Sequence, residues 1–486
     1  MKSSPTRSES ATADAANLYA VIMAGGAGTR LWPESRKARP KPFLPFAPNG
    51  SALVRATFDR LDGLVPPENR FVVAGRAFAA LVAETLPELR RERTLLEPVG
   101  RNTAPCVAWA ALEAMTLDPD ATLVVLPADH WIRPDAAFRE KIAEAARLVE
   151  EDPTRLVTLG VKPTEPSTAF GYIWQGKAIK TETGIEAFRV RRFAEKPILG
   201  AAKAFLASGE FLWNAGVFVW KARRILELIR DSGLDFPETL DAVAERIAAC
   251  SRDGRRVDED PRFIDAFSRA TYVSIDLAAL ERAPNVVVLA ADSFEWNDVG
   301  SFNALARLGI PSSATPDVVL CDSPNSVVRV SRRDDATTPD PRRNKLVAVG
   351  GVDGLRIVDA GAALVIANKR APAAIANALD ELRRRGASAC CENSARDFLL
   401  NGGGCGERAR DELGLEIFNP DKLEVEALVV RDEPPATERN LVVVAGFNGL
   451  LVVETADALM VAGRDVDSSV QNLVFELERQ GMDAYL

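Results

Sequence analysis

From Leu18 to about residue 310, short β-branched apolar runs alternate with segments whose apolar residues fall at helical spacing. The runs are LYAVIMAG, RFVVAG, TLLEP, TLVVLPAD, RLVTLGV and NVVVLAAD. Between the first four lie SALVRATFDRLDGL, RAFAALVAETLPEL and TAPCVAWAALEAM. Parallel strands need long crossovers, and helices usually supply them, so this alternation predicts an open, mainly parallel α/β sheet. Sheets of that kind hold ligands at the carboxyl ends of their strands.

Beyond residue 310 the texture turns β-rich and the chain repeats itself. KLVAVGGVDGLRIVDAGAALVIA, from Lys345, matches NLVVVAGFNGLLVVETADALMVA, from Asn440. Leu346, Val347, Gly351, Gly354, Leu355 and Leu364 recur as Leu441, Val442, Gly446, Gly449, Leu450 and Leu459. Each copy runs on into a helical pattern, DELRRRG or FELERQG. Two copies are too few for a self-sufficient solenoid, so they are expected to pack on each other or on the main domain. The expected organisation is a flexible tail over 1–17, the α/β domain over 18–310, a first β-rich copy over 311–388, a linker or partly ordered connection over 389–424, and a second copy over 425–486.

Composition removes several functions. A formal net charge of −9 over 486 residues argues against nonspecific nucleic-acid binding, which needs a broad surplus of Lys and Arg. The six cysteines form no CxxC pair, and His130 is the only histidine, so Cys/His zinc sites and a serine–histidine triad have little support. The polar start lacks the apolar segment of a secretory signal, and no 18-residue apolar run occurs. A cytoplasmic enzyme without membrane contact is the expectation.

The stretch VIMAGGAGTRLWPESRKARPKPFLPF carries the first chemistry. Gly25, Gly26 and Gly28 follow a strand, so backbone N–H groups can converge on an anion. A glycine turn alone is equally an ordinary strand-to-helix turn. Leu31 stands where a dinucleotide GxGxxG would need glycine, and no Gly-Lys-Ser/Thr comes after it. The turn leads instead into Arg30, Arg36, Lys37, Arg39 and Lys41, on a segment stiffened by Pro33, Pro40 and Pro42. Five cations beside such a turn, in an acidic chain, suggest more than one phosphate. A polyphosphate usually brings a divalent cation with oxygen ligands. Asp129, in VVLPADH, and Asp298, in FEWNDVGSF, are strand-end carboxylates able to share one Mg²⁺.

These motifs, with LLEPVGRNTAPC, FGYI, FAEKP, LWNAGVFVW and SIDLAALER, stand in the order found in mannose-1-phosphate guanylyltransferases, which the chain resembles over about residues 18 to 310. That family belongs to the sugar-1-phosphate nucleotidylyltransferases. The resemblance implies a Rossmann-like nucleotidyltransferase sheet, GTP and mannose 1-phosphate as substrates, and Mg²⁺. By resemblance, Gly25, Gly26, Gly28, Thr29 and Arg30 wrap the triphosphate, and Lys41 neutralises it in the transition state. Glu97, Pro98, Arg101, Asn102 and Thr103 match the segment near base and ribose, and Asp129 and Asp298 match the metal pair. Gly171, Glu195, Lys196 and Asn214 match the sugar-phosphate site, with Lys196 on the phosphate and Glu195 and Asn214 on hydroxyls. Phe170 stands where the family often has tyrosine, and Cys106 where a small residue is usual. The first β-rich copy resembles the family's short C-terminal domain, and the C-terminal β-rich region as a whole is the expected interface of a homodimer. The alternatives are a nucleotidylyltransferase for another base or sugar, or a noncatalytic nucleotide-sugar sensor.

Overall fold

Four strands, β1 (Leu18–Met23), β2 (Arg70–Gly75), β3 (Thr94–Glu97) and β4 (Thr122–Pro127), lie parallel in the spatial order β3-β2-β1-β4 in the computed structural model of the chain. The structure describes residues 17–26, 31, 35, 39–232, 237–300 and 302–310, then 318–321, 327–330, 346–350, 352, 354–359, 363–368, 409–410, 416–418, 427–431, 441–445, 450–454, 458–462 and 479. β1 is central to this half. Val21 pairs with Phe71 on one side and with Val125 on the other. LYAVIM and TLVVLP are buried along almost their whole length, as expected of strands covered on both faces. The helix Thr103–Leu117 buries Ala104 through Ala111 and packs against the helices Ala222–Arg230 and Pro237–Asp253. Its Trp109 ring lies 4.8 Å from Phe263 and 5.7 Å from Phe267.

In the rest of the sheet two strands run against the other seven, so the expected mainly parallel sheet carries two antiparallel members. β9 (Phe211–Lys221) runs antiparallel between β4 and β6 (Leu156–Val161), and β10 (Val286–Ala290) is parallel to β6. β8 (Phe188–Ala194) and β7 (Tyr172–Ala178) complete nine strands in the order β3-β2-β1-β4-β9-β6-β10-β8-β7, with β7 also pairing the far end of β9. The sheet is mixed. FLWNAGVFVWK is apolar because it is buried, and burial leaves the same signature whichever way a strand runs. A separate two-stranded ribbon pairs β5 (Trp131–Arg133) with β11 (Glu295–Asn297) in antiparallel register, Asn297 opposite Trp131.

By contact density the chain divides into Met1–Gly26 with Pro45–Asp298, and Ala27–Leu44 with Val299–Leu486. The second unit holds two sheets. One is ordered β12-β14-β22-β21-β19 and the other β13-β15-β16-β20-β18-β17. Their strands are β12 (Val318–Cys321), β13 (Val327–Val330), β14 (Leu346–Gly350), β15 (Leu355–Asp359), β16 (Ala363–Asn368), β17 (Ala409–Arg410), β18 (Glu416–Phe418), β19 (Ala427–Arg431), β20 (Leu441–Ala445), β21 (Leu450–Glu454) and β22 (Ala458–Ala462). β17 and β18 fall inside the stretch read from sequence as a connection. The tail before Asn17 and the two helical patterns DELRRRG and FELERQG lie outside the described residues, Arg479 excepted. Among the described residues no helix is long and apolar enough to cross a membrane.

Gly160 in β6 shows how tightly the centre is packed. It pairs with Asn214 of β9 beside a register shift, and a Cβ there would stand 2.6 Å from Leu212 Cδ1 and 2.8 Å from Val288 Cγ2. Val288 is fully buried, and Leu212 Cβ, fixed to its backbone, would also lie at 2.9 Å, so rotation of the leucine side chain does not relieve the clash. Gly160→Ala is therefore expected to destabilise by about 1–3 kcal/mol, the usual range for overpacking, seen as a lower denaturant midpoint. An unchanged midpoint would mean that β6, β9 and β10 are packed less closely.

Candidate active site

The parallel half of the sheet brings three strand ends to one edge. Gly25 and Gly26 follow β1, Glu97 ends β3, and Asp129 lies two residues beyond β4. Ala24 N–H donates to the Val73 carbonyl at 2.7 Å, and Ala128 N–H to the Met23 carbonyl at 2.9 Å, which fixes the turn to its neighbours. A Cβ on Gly25 would lie 3.7 Å from Glu97 Oε2, and one on Gly26 3.7 Å from Asp129 Oδ2. The glycine turn is thus flanked by two carboxylates. Gly28, Thr29 and Arg30 lie outside the described residues, as do Arg36 and Lys37. Lys41 opens a 3₁₀ turn, Lys41–Phe43, with Pro40 before it and Pro42 inside it. Its side chain is buried, and its carbonyl accepts from Leu44 N–H at 3.1 Å.

The ribbon supplies the second strand-end aspartate. Register Asn297 opposite Trp131 carries Asp298 to the level of His130, one residue from Asp129. Asp129 and Asp298 therefore both lie at the same end of this ribbon, just outside its paired residues. Trp296 Nε1 donates to His130 Nδ1 at 3.2 Å, and the two rings meet edge to face with centroids 5.3 Å apart. An imidazole that accepts at Nδ1 is neutral, with its proton on Nε2. His130 is buried and serves to lock β5 to β11. Two carboxylates are a hard-oxygen donor set suited to Mg²⁺, which commonly takes one or two and fills its other positions with water and substrate phosphate. Among the described residues no cluster of three or more His, Cys, Asp or Glu is disposed to hold a metal.

Glu97 is the odd group of this edge. It is 7% exposed, and its Oε1 has no hydrogen-bond partner among the described residues. Burial pushes its carboxyl up to about 7. A buried acceptor left open beside the glycine turn asks for a donor from a ligand. The residues after it build the wall. Pro98 and Arg101 are half-buried, Arg101 donates to the Ser268 carbonyl, and its Nε is buried without a partner among the described residues. Asn102 caps the helix Thr103–Leu117, its side chain accepting from Thr103 N–H at 2.8 Å. Thr103 Oγ1 accepts from Ile275 N–H at 2.9 Å, so its hydroxyl ties the wall to the chain just before Asp276.

That chain leads to the third cluster. Asn214 N–H donates to the Gly171 carbonyl at 2.8 Å. Its side-chain Oδ1 accepts from Gly216 N–H at 3.0 Å, and its Nδ2 donates to Asp276 Oδ1 at 3.0 Å. A Cβ on Gly171 would stand 2.6 Å from Glu195 Oε2, and Lys196 Nζ lies 2.8 Å from Glu195 Oε1. Glu195 and Lys196 are exposed, so their pairing alone is worth only ~0–1 kcal/mol and leaves both open to a ligand. Burial, reinforced by the charge of Glu195, pushes Asp276 up to about 6. Sequence reasoning misses Asp276, although SIDLAALER is among the motifs. It opens a single π turn, Asp276–Leu280, a local irregularity frequent at functional sites and unreadable from periodicity. Phe170 packs edge to face on Trp213 at 4.9 Å and on Trp296 at 5.4 Å, so the phenyl ring makes a packing contact. Cys106 is buried, its thiol pushed well above the ordinary range.

Backbone conformation marks the same places. Among the described residues three that are not glycine have positive φ: Asn102 at 67°, Lys196 at 41° and Val299 at 47°. They stand in GRNTAP, AEKP and NDVGS. A β-branched residue such as Val299 in this region costs of order 1–3 kcal/mol, a strain usually retained only where surrounding structure and function hold it.

The mixed α/β sheet thus carries a glycine turn, strand-end aspartates and a polar cluster around Asn214. Residues 19–309 match the family model of the nucleotidyl transferases. The chain is 36% identical over 380 residues to the xanthan biosynthesis protein XanB of Xanthomonas campestris pv. campestris, covering 76% of this chain and 74% of the relative. It is 36% identical over 384 residues to the mannose-1-phosphate guanylyltransferase ManC of Salmonella typhimurium, with 76% and 74% covered. A crystal structure of a Thermus thermophilus protein, described as a mannose-1-phosphate geranyltransferase, matches with TM-score 0.60 at 31% identity, covering 76% of this chain and 99% of the other. The chain belongs to the nucleotidyl transferase family and is an enzyme.

Glu97 gives this edge a pH dependence. A carboxyl raised in the folded state favours its protonated form there. Its contribution to stability is therefore complete below its ordinary pKa and is lost as pH rises through about 7. The shift from 4.5 to about 7 corresponds to about 3 kcal/mol. Glu97→Gln cannot ionise, so its stability relative to the parent chain is expected to rise by up to that amount between pH 4.5 and pH 8, measured by denaturant midpoints. A constant difference across that range would show that Glu97 is not held in a dry site.

Proposed function

We propose that the chain is a mannose-1-phosphate guanylyltransferase, converting GTP and α-D-mannose 1-phosphate to GDP-mannose and pyrophosphate. The observation that carries this reading is the pair of strand-end carboxylates, Asp129 against Gly26 and Asp298 directly after β11. The extensive identity to a guanylyltransferase supports it. In the same reading the catalytic domain spans 18–310, with β-rich copies over 311–388 and 425–486. The reaction belongs in the cytoplasm, where nucleoside triphosphates are made.

The chemistry rests on charge. A phosphate oxygen of the sugar phosphate attacks the α-phosphorus of GTP in line, a new P–O bond forms, and the bond to the β-phosphate oxygen breaks to release pyrophosphate. The attacking phosphate is already ionised at neutral pH, so no general base is required. The obstacle is repulsion between two anions and the charge gathering on the leaving group. Arg30 and Lys41 are assigned to the triphosphate, with the backbone N–H groups of Gly25, Gly26, Gly28 and Thr29 around it. Asp129 and Asp298 would hold Mg²⁺, which when bound neutralises phosphate charge as a Lewis acid. Lys196 is assigned to the phosphate of the sugar, and Glu195 and Asn214 to its hydroxyls. Pro98, Arg101, Asn102 and Thr103 shape the pocket for base and ribose. Guanine carries N–H donors on its pairing edge where adenine has an acceptor, and the open Oε1 of Glu97 is an acceptor that such a base satisfies.

Two experiments test the halves of this site. Pyrophosphate release with Mg²⁺ is expected with GTP and mannose 1-phosphate, and to fall by ~10²-fold or more in Asp129→Ala and Asp298→Ala. Equal turnover with another nucleotide or sugar phosphate would move the specificity, and no turnover with measurable nucleotide binding would indicate a sensor. Gly171→Ala forces Glu195 aside and is expected to raise KM for mannose 1-phosphate roughly tenfold, about 1.4 kcal/mol, with KM for GTP unchanged. Equal change in both would place Gly171 outside the sugar half.

A further inference from the structure

The strand order of the second unit relates the two sequence copies to each other. β14, β15 and β16 of the first copy begin at residues 346, 355 and 363, and β20, β21 and β22 of the second begin at 441, 450 and 458, each 95 residues on. Within a copy the second and third of these strands pair antiparallel, β15 with β16 and β21 with β22. Two earlier strands also accompany each copy and are placed alike. β12 lies parallel to β14 as β18 does to β20, and β13 lies parallel to β15 as β19 does to β21.

The pairings between copies are reciprocal. Leu346 of β14 stands opposite Ala458 of β22, and Ala363 of β16 stands opposite Leu441 of β20. Leu441 is the counterpart of Leu346, and Ala458 that of Ala363. Exchanging the copies therefore turns one pairing into the other, residue for residue. Applied to the whole sheet β12-β14-β22-β21-β19, the exchange gives β18-β20-β16-β15-β13, which is the other sheet read backwards without β17. A contact in which i meets j and j meets i is isologous, the mark of a two-fold dimer interface.

We infer that the C-terminal region is an internal dimer, in which the second copy takes the place a second chain would otherwise fill. The inner edges of β14 and β16 are closed by β22 and β20 of the same chain. An open strand edge recruits another strand, and the nearest supply here is tethered. Tethering raises the local concentration of the second copy by an amount that falls as the connection lengthens. The partner that fits this surface is a copy of the unit itself, already present in the polypeptide. These two edges are then not open to a second chain.

Cross-linking the full-length chain distinguishes the two arrangements. Ala348 stands opposite Met460, and Val365 opposite Val443. Neighbouring strands lie about 4.8 Å apart, within disulfide reach. Ala348→Cys/Met460→Cys and Val365→Cys/Val443→Cys are made separately and oxidised, with the unsubstituted chain as control for the native cysteines. The expected product of each is an internally linked monomer, identified by non-reducing electrophoresis and by mass spectrometry of the joined peptides. Its light-scattering mass should match that of the reduced protein. Reducible covalent dimers in both variants would overturn the inference, showing that the strands pair between chains. Failure of both links in chains whose circular dichroism matches the parent would overturn the pairing itself.

Discussion

Everything at the candidate site depends on β1 being paired in parallel on both sides. Residues 20–23 are matched to 70–73 of β2, and the whole strand is matched to 122–127 of β4. Because β2 is in turn parallel to β3, the carboxyl ends of all four strands point the same way. A slip of one residue would invert every side chain of a strand, and both faces of β1 are buried, so the register is firmly fixed. That fixity is what carries Glu97 to Gly25 and Asp129 to Gly26 without either carboxylate needing a long reach.

The remaining walls are set by irregular features. β9 crosses from β4 to β6 and on to β7, and Asn214 sits at the shifted register opposite Gly160. Its amide is oriented at both ends, accepting from Gly216 N–H and donating to Asp276. Hydrogen-bonding to Asp276 favours the ionised acid and opposes the effect of burial, yet burial prevails and the pKa stays high. Asp276 thus holds Asn214 from a dry position, while Glu195 and Lys196 stay exposed. On the other side Trp296 links the ribbon to Phe170 and Trp213. The aromatic cluster connects the segment bearing Gly171 to the segment bearing Asp298.

The legible parts of the fold are those whose signal is local. β1, β2, β3, β4, β6 and β10 stand where apolar runs occur, and the helix Thr103–Leu117 where TAPCVAWAALEAM has helical spacing. Strand direction is not legible, because burial makes LWNAGVFVW apolar in either orientation. The ribbon escapes for a different reason. Three-residue strands such as WIR and EWN, on opposite sides of most of the domain's sequence, carry no periodicity, and their partnership exists only in space. Asp276 is invisible as a single acid in a helical stretch, since its meaning comes from Asn214. Glu97 can be named by position, but the absence of a partner for Oε1 among the described residues cannot be read from LLEP.

The three left-handed residues suggest why such a site is built on turns at all. Asn102 tolerates the conformation because its side chain caps its own helix, at 2.8 Å from Thr103 N–H. The side chains of lysine and valine cannot accept a backbone hydrogen bond in that way, and Val299 is fully buried. At Val299 a cost of order 1–3 kcal/mol is offset by the tertiary packing around it. Both residues lie next to one with an assigned role: Glu195 before Lys196, and Asp298 before Val299. An ordinary extended residue at either position would aim the preceding carboxylate elsewhere. The strain is best understood as the means by which a rigid sheet presents carboxylates at angles that regular strands do not offer.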